Sequence, residues 1–542
     1  MKSAVFICLK IMSSVPSKGP SNFESIQDLD IGIEGVLKQL QQLKVSKAGG
    51  PDAIPARLLH DYAEELAPLL HFIFRQSYAT GTLPGDWRKA LVTSIYKKGS
   101  KSVPENYRPV SLTCITCKIM EHVILSHVNK HLAANNVLTT NQHGFREKRS
   151  CETQLFEAIH DWSECLNRSS QTDVLLLDFS KAFDRVPHQR LAIKLDYYGI
   201  RGATLKWIQA FLGDREQCVI VNGSLSSWAT VKSGVPQGSV LGPTLFLLYI
   251  NDIADGVKSN IRLFADDSIL YREIRNSDDH TLLQEDLNTV LNWADTWQMS
   301  FNASKCQLLT ITRKQPSKFN YSVAEQVIER TSSAKYLGVT IASDLSWNEH
   351  VANTKSKACS TLGVIRRNLG PCSQKVKFLA YQHLVLPKLD YAATAWNPYT
   401  VKNVKLLESV QRQAVRYICG VYDRRTSITP LVEQLKLNEL ALRRIMNQCT
   451  MFFKIHNNLI NVNFPSCVSL LPTAGRSHNL RYNPVQASRD TFQKSFFVRT
   501  IPIWNKLPLE AVTASTAEAF QTAALPAVRK LYSAAAANNQ QL

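Results

Sequence analysis

An α+β fold of the split βαβ kind is predicted for the middle of this 542-residue chain, on two observations. Strand-like and helical segments follow one another in the order strand, helix, strand, strand, helix, strand. Two of these strands also carry carboxylates: Asp178 ends a run of valine and leucine, and Asp266 and Asp267 interrupt the apolar segment 261–271. From about Ser346 the pattern is mostly helical, so a helical region is expected to follow.

The elements ahead of Asp178 are mostly helical. Periodic apolar residues predict helices over 26–43, 55–78 and 116–135. Between the second and third helix, the β-branched segment 91–96 predicts a strand that ends in the basic turn Lys97-Lys98-Gly99. Cationic side chains therefore follow directly on this strand.

The elements after Asp178 alternate between helix and strand. The pair of strands at 217–222 and 228–232 predicts a hairpin. Further helices are predicted at 189–197, 203–212, 240–250 and 279–299, further strands at 307–312 and 335–341, and a turn at 234–238.

The three carboxylates indicate a metal-dependent chemistry. A carboxylate at the edge of an apolar core is costly unless a cation meets it, and two adjacent aspartates repel each other unless a divalent ion neutralises them. Asp178 on one strand, with Asp266 and Asp267 on a hairpin, is the set of groups that two-metal phosphoryl transfer requires. A nucleotidyl transferase is therefore the first hypothesis.

The net charge of +19 lies mainly in the C-terminal part of the chain. Residues 1–344 hold 38 Lys and Arg against 35 Asp and Glu, whereas residues 345–542 hold 25 against 9. A basic, solvated surface is the simple interpretation. Because the excess accompanies a candidate phosphoryl-transfer site, a polyanion grip on nucleic acid is favoured.

Cysteine usage and hydropathy predict a soluble protein that is not secreted. The twelve cysteines are scattered, as is typical of reduced thiols in an intracellular protein. Cys114 and Cys117 form the only CxxC, and two core cysteines one helical turn apart are favoured over half of a zinc site. The N-terminal apolar run, residues 4–9, is short for a signal peptide, and no stretch is long enough to span a membrane.

Seven motifs, in one order, give the chain a specific resemblance over roughly residues 45–420. The motifs are Gly50-Pro51-Asp52-Ala53-Ile54-Pro55, Asn106-Tyr107-Arg108-Pro109-Val110-Ser111-Leu112, Gln142-His143-Gly144-Phe145-Arg146, Leu177-Asp178-Phe179-Ser180-Lys181-Ala182-Phe183-Asp184, Gly234-Val235-Pro236-Gln237-Gly238-Ser239, Phe264-Ala265-Asp266-Asp267 and Tyr336-Leu337-Gly338-Val339. With these motifs the chain resembles the reverse transcriptase of non-LTR (LINE-type) retrotransposons, most of all the jockey-like group.

The resemblance implies a right-hand polymerase with fingers, a split βαβ palm and a helical thumb, followed by a basic, mostly helical C-terminal region. The implied ranges are a leader and N-terminal extension at 1–45, fingers at 46–172, a palm at 173–341, a thumb at 342–430 and a region of unknown role at 431–542. The reverse transcriptase domain itself is expected at about 83–341.

The resemblance also implies a metal site that holds two Mg²⁺ ions. Neighbouring side chains of a strand point to opposite faces, so Asp266 and Asp267 cannot both face Asp178 equally. Asp178 and Asp266 are the expected ligands, helped by the backbone carbonyl of Phe179, with Asp267 as an auxiliary carboxylate. Asp184 is expected to be a structural cap.

The incoming nucleotide is expected to meet four further positions. By resemblance, Lys97 and Arg108 neutralise the triphosphate, although Lys98 is almost as good a candidate as Lys97. Gln237 and Gly238 resemble the turn that packs against the nascent base pair.

Phe183 and Lys305 are candidates for substrate choice and for proton transfer. Phe183 matches the bulky residue that excludes a 2′-hydroxyl, so dNTPs should be preferred, while a core phenylalanine is the alternative. Lys305 matches a lysine proposed to protonate the leaving pyrophosphate, and a surface lysine ahead of a strand is equally compatible with the sequence.

The expected partners are an RNA template, a DNA primer and dNTPs, with no membrane. Lys402, Lys405, Arg412 and Arg416 can share one helix face that grips phosphates without reading sequence. About 80 residues precede the Trp87 region, so endonuclease activity is expected to come from elsewhere. Synthesis in the cytoplasm and residence in the nucleus are inferred from the family's use of genomic DNA.

Two other readings remain. A decayed element copy would only bind RNA through its basic half, although intact Asp178, Phe183, Asp266 and Asp267 argue against it. An intron-type maturase would share the polymerase core but should carry a distinct splicing domain, which is not recognised in this sequence.

Overall fold

The computed structural model describes residues 16–423, 425–471 and 478–537. The first part of the expected leader, residues 1–15, and the end of the Ala/Asn/Gln-rich tail, from residue 538, lie outside the described residues.

Helices make up most of the regular structure. Along the chain they are α1 (Ile33–Gln41), α2 (Ala56–Asp61), α3 (Ala63–Thr80), α4 (Ile115–Ala134), α5 (Cys151–Asn167), α6 (Ala182–Arg185), α7 (His188–Tyr197), α8 (Gly202–Leu212), α9 (Gly242–Ile250), α10 (Ser277–Thr296), α11 (Asn348–Asn368), α12 (Gln374–Ala380), α13 (Leu386–Asp390), α14 (Ala393–Trp396), α15 (Val401–Cys419), α16 (Thr429–Gln434), α17 (Leu440–His456), α18 (Asp490–Gln493), α19 (Phe496–Trp504), α20 (Leu509–Val512) and α21 (Ala517–Ala537). A π-helical turn, Tyr381–Val385, connects α12 to α13.

The strands lie mainly in the first two thirds of the chain. They are β1 (Lys89–Tyr96), β2 (Tyr107–Leu112), β3 (Gln171–Asp178), β4 (Arg215–Val221), β5 (Ser224–Leu225), β6 (Ala229–Val231), β7 (Asn260–Phe264), β8 (Asp267–Ile274), β9 (Gln307–Ile311), β10 (Ser322–Val323), β11 (Gln326–Val327), β12 (Glu329–Thr331), β13 (Ser333–Tyr336) and β14 (Val339–Ala342). The mixture of helix and strand agrees with the predicted α+β class.

Three predicted elements differ from the structure, each for a local reason. The helix expected over 26–43 starts only at Ile33, after an extended Gly32. The helix expected over 55–78 is broken at Tyr62, whose φ of −111° and ψ of 37° are not helical. The strand expected over 335–341 is a hairpin, because Leu337 and Gly338 both have positive φ and form a two-residue turn between β13 and β14.

The chain folds as two compact units, each built from three segments. Unit 1 comprises Met1–Phe145, Asp178–Lys258 and Asp286–Ala303, and unit 2 comprises Arg146–Leu177, Ser259–Glu285 and Ser304–Leu542.

Unit 1 contains a small mixed sheet backed by helices. Its strand order is β2-β1-β4-β5, and β6 pairs with β4. The aromatic residues Phe74 and Trp87 meet edge to face at 5.8 Å, and Trp207 stacks on Phe211 at 5.5 Å. These side chains are buried, and the Phe74–Trp87 contact joins α3 to the turn just ahead of β1, whereas Trp207 and Phe211 both lie on α8.

Cys114 and Cys117 lie at the start of α4 in unit 1, and both are fully buried. They are core cysteines, as predicted. The other cysteines of the described residues are free as well.

Unit 2 contains the central sheet, with the strand order β12-β9-β3-β8-β7. β3 runs antiparallel to β9, and β7 forms an antiparallel hairpin with β8. The path from β3 through helices to the β7–β8 hairpin, α10 and β9 follows the split βαβ order.

The remainder of unit 2 is helical and holds two apolar clusters. The first joins β3, β8 and β9 to α11 and α15 around Trp396 and Leu407. The second lies under α17, α19 and α21 around Phe452, Trp504 and Phe520. Residues 440–528 therefore have a core of their own, with which α5 also makes contact through Phe156.

Candidate active site

Asp178 is the last residue of β3, a strand that lies between β9 and β8 in the central sheet. Six of the eight β3 residues are buried, and the other two, Leu176 and Asp178, are half-buried. The buried, apolar part of β3 therefore stops just before the Asp178 carboxylate, which lies at the end of the strand. This placement agrees with the pattern seen in the sequence.

Asp266 occupies a tight turn rather than a strand position. β7 ends at Phe264, β8 begins at Asp267, and Phe264 pairs with Asp267, so Ala265 and Asp266 form a two-residue hairpin turn. The strand-alternation argument for separating Asp266 from Asp267 was therefore wrong. Ala265 has a φ of +52°, which costs roughly 1–2 kcal/mol for a residue with a Cβ.

Phe179 is held so that its own peptide groups are directed away from its partner strand. Phe179 and Phe301 form an isolated antiparallel bridge, and their rings stack at 4.1 Å. The ladder hydrogen bonds run from Ser180 N–H to the Ser300 carbonyl, at 2.8 Å, and from Asn302 N–H to the Asp178 carbonyl, at 2.7 Å. In such a non-hydrogen-bonded pair, the Phe179 N–H and C=O point to the opposite side. Its carbonyl is therefore not used by this bridge.

No group of three or more His, Cys, Asp or Glu side chains among residues 16–423, 425–471 and 478–537 is arranged to hold a metal ion. Protein-only cages are not the usual mode for Mg²⁺, which is bound by one or two carboxylates together with substrate phosphates and water. The hard oxygen donors of Asp178, Asp266 and the Phe179 carbonyl are of the type that suits this ion.

Phe183 lies on α6 and forms an aromatic group with two other rings of unit 1. It stacks on Phe246 at 4.3 Å with an interplanar angle of 18°, and it meets Phe145 edge to face at 6.4 Å. Its backbone carbonyl accepts a hydrogen bond from Val235 N–H at 2.8 Å. Phe183 is half-buried, so one part of the ring remains accessible while Phe246 fixes its orientation.

Gln237 and Gly238 form a turn that lies directly against β2. The Gln237 carbonyl accepts a hydrogen bond from Ser111 N–H at 2.7 Å. Gly238 has a φ of +112°, and a Cβ there would lie 2.6 Å from the Ser111 carbonyl oxygen. Only glycine allows this approach.

Asp184 supports this turn and is not a cap. It lies inside α6, whose N-cap is Lys181, and its carboxylate accepts a hydrogen bond from Gln237 Nε2 at 3.0 Å. Asp184 was predicted to be a structural cap, and that prediction was wrong in its geometry. A contact between residues 53 positions apart is not visible in local sequence patterns.

Lys97 and Arg108 lie on one hairpin of unit 1. Arg108 is paired with Ile95 across β1 and β2, and Lys97 N–H donates to the Asn106 carbonyl at 2.8 Å just beyond β1. Paired residues share a face of the sheet, and so does the residue two positions on. Lys97 therefore extends the face that carries Arg108, whereas Lys98 lies in the bend beyond the ladder. Both cations are exposed.

Lys305 ends a short 3₁₀ turn, Ala303–Lys305, two residues ahead of β9. The side chain is exposed. Its position ahead of a strand agrees with the sequence, and no observation assigns it a proton-transfer role.

The predicted basic helix is α15, and three of its four cations face solvent. Lys402, Lys405 and Arg412 are exposed. Arg416 is used differently, because its guanidinium donates hydrogen bonds to the carbonyls of Asp423 and Thr426, at 2.5 and 2.9 Å. Arg416 therefore holds the loop that follows its own helix.

A basic groove that the sequence did not reveal lies beside the β13–β14 hairpin of unit 2. It has a volume of about 520 Å³. Lys335, Lys357 and Lys388 line it, as does Tyr391, and none of the described lining residues is acidic. Tyr391 O–H donates to the Leu337 carbonyl at 2.9 Å and so holds the hairpin turn.

One of the seven sequence motifs, Tyr336-Leu337-Gly338-Val339, lies beside this groove and could have pointed to it. The sequence alone assigned no function to this motif. Gly338 has a φ of +85°, and a Cβ there would lie 3.0 Å from the Tyr391 ring. His350 lines the same groove, and its Nδ1 accepts a hydrogen bond from Thr340 N–H at 3.1 Å. Burial lowers the pKa of His350 to about 4, so this imidazole adds no positive charge to the groove at neutral pH.

Glu121 is a further buried carboxylate that sequence reasoning missed. It is fully buried in unit 1 and accepts hydrogen bonds from the N–H groups of Val240 and Leu241, at 2.7 and 3.0 Å. Burial raises its pKa, although these two bonds oppose the shift. Glu121 thus satisfies the start of α9, the helix that carries Phe246.

Across the described parts of the chain, every helix is too short or too polar to cross a bilayer.

Comparisons with known proteins agree with the resemblance. Residues 95–341 match the family described as reverse transcriptase (RNA-dependent DNA polymerase). The chain is 27% identical over 421 residues to "Probable RNA-directed DNA polymerase from transposon BS" of Drosophila melanogaster, which covers 73% of this chain and 46% of that protein.

Two further relatives from Drosophila melanogaster show similar levels of identity. "RNA-directed DNA polymerase from mobile element jockey" is 28% identical over 406 residues, covering 72% of this chain and 44% of that protein. "Probable RNA-directed DNA polymerase from transposon X-element" is 25% identical over 391 residues, covering 69% and 42%. The matched region thus spans less than half the length of each of these relatives.

Proposed function

We propose that this chain, a reverse transcriptase family member over residues 95–341, is the RNA-directed DNA polymerase of a non-LTR retrotransposon. It would extend a DNA 3′-hydroxyl on an RNA template. The observation that carries the proposal is the position of the carboxylates: β3 ends in Asp178, and its hydrogen-bonded neighbour β8 is preceded by Asp266 and begins with Asp267.

We propose Asp178, Asp266 and the Phe179 carbonyl as ligands for two Mg²⁺ ions, with Asp267 as an auxiliary carboxylate. When bound, the ions would activate the attacking 3′-hydroxyl and stabilise the charge on the leaving pyrophosphate. The chain's own contribution would be a strand end that fixes the backbone at Asp178 and a tight hairpin turn that fixes the backbone at Asp266. The orientation of the Phe179 carbonyl supports its place in this set.

The triphosphate of the incoming nucleotide would meet Lys97 and Arg108. Their common face on the β1–β2 hairpin supports Lys97 over Lys98. Arg108 offers a planar fork that can hold two phosphate oxygens, and Lys97 adds a point charge. The Gln237–Gly238 turn would pack against the new base pair, since it lies against Ser111 on the same strand as Arg108.

Phe183 would exclude ribonucleotides. Its ring is held by the stack on Phe246 and is partly accessible, so it can lie under a sugar without shifting. A buried 2′-hydroxyl against an aromatic ring would lose its hydrogen bonds. Lys305 remains our candidate for protonating the leaving pyrophosphate, and its exposure is compatible with that role.

The primer–template would be held by unit 2. The exposed cations Lys402, Lys405 and Arg412 on α15, and the lysine-lined groove beside the β13–β14 hairpin, offer phosphate contacts without sequence readout. In this proposal residues 46–172 are fingers, 173–341 palm and 342–430 thumb. Arg416 is less suited to this role than predicted, because its guanidinium holds its own loop.

We further propose that the protein acts in the nucleus, where a genomic DNA primer is present. In this proposal a separate endonuclease activity nicks that DNA.

The test is primer extension by the purified chain on an RNA template with dNTPs and Mg²⁺. Asp266→Ala should abolish incorporation, and chelation of the metal should do the same. A matched control is Asp344→Ala, because Asp344 is also an aspartate of unit 2 close to a strand end but has no proposed metal role.

Incorporation that depends on Asp266 but not on Asp344 would establish the polymerase. No incorporation, together with tight and salt-sensitive RNA binding, would leave a decayed copy that binds RNA.

A further inference from the structure

We propose that unit 2 carries a second nucleic-acid site, a groove lined by Arg313, Lys314 and Arg489 that binds the sugar–phosphate backbone of an RNA strand. The inference rests on the proposed function for the identity of the polyanion. The groove itself is defined by described residues of unit 2 alone.

The groove lies where four elements meet. Its walls are the end of α5, the turn between α5 and β3, the residues after β9, and the start of α18 with the two residues that precede it. Its volume is about 380 Å³. That is at the small end of ligand-sized pockets, so it can take about one nucleotide unit of a longer strand.

The chemistry of the lining suits phosphate. Three cations, Arg313, Lys314 and Arg489, line it together with a single carboxylate, Asp490. Ser170 and Thr312 are among the hydroxyl groups that line the rest. Arginine, lysine and hydroxyl donors are the usual contacts to phosphate and sugar oxygens.

Arg489 is held in place before any ligand binds. The N–H groups of Ser488 and Arg489 donate to Asn167 Oδ1, at 2.8 and 3.1 Å, which fixes the segment to the end of α5. Arg489 Nη2 donates to Ser169 Oγ at 2.8 Å. A guanidinium has five N–H donors, so this bond orients the group and leaves others for a ligand. A preorganised cation loses less entropy on binding.

Thr491, on the inner wall of the groove, carries a buried hydroxyl without a hydrogen-bond partner among the described residues. It is 6% exposed. Thr491 also lines a small neighbouring cavity of about 30 Å³, where Ser495 Oγ and both ring nitrogens of His160 are likewise buried without a described partner. Buried polar atoms normally have partners, so this wall is suited to ordered water or ligand oxygens.

The groove is separate from the proposed catalytic carboxylates along β3. The strand starts at Gln171, next to Ser170 of the groove, and its two ends are about 20 Å apart. An RNA segment bound in the groove would therefore be distinct from the nucleotide bound at the other end of β3. The simplest candidate for this segment is another part of the RNA template that is being copied.

The test uses the full chain and a fluorescent single-stranded RNA of about 30 nucleotides. The groove variant combines Arg313→Ala, Lys314→Ala and Arg489→Ala. The matched control removes three exposed lysines that do not line the groove, Lys375→Ala, Lys506→Ala and Lys530→Ala. Binding is measured by anisotropy over a range of salt concentrations. Primer extension on a short hybrid is measured in parallel.

Plots of log affinity against log salt concentration have a negative slope, and each phosphate contact on a single strand contributes about 0.7 to its magnitude. Loss of two or three contacts in the groove variant should therefore make the slope shallower by about one to two. The control variant should retain a steeper slope. If both variants lose RNA affinity equally, the effect is one of general charge and the site is overturned. The site is also overturned if neither variant loses affinity.

Two further measurements separate a backbone site from other causes. Arg489→Lys keeps the positive charge, so it should bind RNA nearly as tightly as the wild type and more tightly than Arg489→Ala. If Arg489→Lys binds as weakly as Arg489→Ala while its melting temperature is unchanged, the site is overturned. A photoreactive group on Ser488→Cys should crosslink to the RNA. Displacement by millimolar inorganic phosphate without any RNA crosslink would mean a small-anion site and overturn the proposal.

The binding readout does not depend on catalysis. If the wild-type chain extends no primer, the proposed function fails while the groove is still tested by its salt slope and crosslink.

Discussion

The side-chain amide of Gln237 donates a hydrogen bond to the carboxylate of Asp184 at 3.0 Å, and the Gln237 carbonyl accepts one from Ser111 N–H at 2.7 Å. One residue thereby connects α6, which carries Phe183, with β2, which carries Arg108. The proposed sugar contact and triphosphate contact are thus part of one hydrogen-bonded assembly in unit 1.

Removal of the Asp184 acceptor should release Gln237. Asp184→Ala and Gln237→Ala should each lower kcat/KM for dNTP by roughly fivefold, since one hydrogen bond contributes about 1 kcal/mol. The double variant should be no worse than either single variant, because both remove the same bond. Steady-state primer extension measures all three. Fully additive losses would show that the bond does not couple the two residues.

Phe183→Ala should relax sugar selection. With the ring gone, the preference for dNTP over rNTP, expressed as a ratio of kcat/KM values, should fall by about 10²-fold. The control is Phe211→Leu, which alters another aromatic stack of unit 1 and should lower the melting temperature without changing the ratio. A ratio unchanged in Phe183→Ala would remove Phe183 from the nucleotide site.

Gly238→Ala should lower the free energy of unfolding more than Gly223→Ala does. Both glycines have positive φ, +112° and +82°. Only at Gly238 would the new Cβ collide, with the Ser111 carbonyl oxygen at 2.6 Å, whereas no described atom lies within 4 Å of a Cβ at Gly223. We expect a loss in the free energy of unfolding of about 1 kcal/mol for Gly223→Ala and a larger loss for Gly238→Ala. Chemical denaturation and primer extension should rank the two variants alike.

His350 should make the protein sensitive to mild acid. Its pKa is about 4 in the fold, against an ordinary value of 6.5, so the unfolded chain binds more protons between these values. The contribution of His350 is therefore complete above pH 6.5 and is lost as the pH falls towards 4, by up to about 3 kcal/mol. His350→Gln, which keeps an acceptor for Thr340 N–H, should flatten this dependence.

The measurement is the difference in the free energy of unfolding between wild type and His350→Gln at several pH values. A difference that does not change between neutral pH and pH 4 would contradict the burial of a neutral imidazole at this position.

Several elements could be predicted from short-range patterns, and their agreement with the structure is close. The helices predicted over 116–135, 189–197 and 203–212 correspond to α4, α7 and α8 with ends that differ by one residue. Apolar periodicity over three or more turns is a strong signal because it is set by burial of one helix face. The strand that ends in Asp178 was also predicted, in this case from its short continuous apolar run.

One failure concerns a local turn, and the others concern residues that are distant in the sequence. Asp266 was assigned to a strand, but the hairpin turn is set by the pairing of Phe264 with Asp267 and by the positive φ of Ala265. Asp184 was taken for a cap, although its partner lies 53 residues away. The basic grooves of unit 2 combine residues from separate elements, so no local window contains them.

Local chemistry in the chain was sufficient to predict the α+β class, the resemblance to reverse transcriptases and a set of candidate carboxylates, because each depends on residue types at short, ordered spacings. Folding in three dimensions was needed to bring Lys97 to the face that carries Arg108, through cross-strand register, and to engage Arg416 in its own loop. It was also needed to gather Arg313 and Arg489 at one groove. These outcomes depend on contacts between distant segments, whose free energy no neighbouring residues encode.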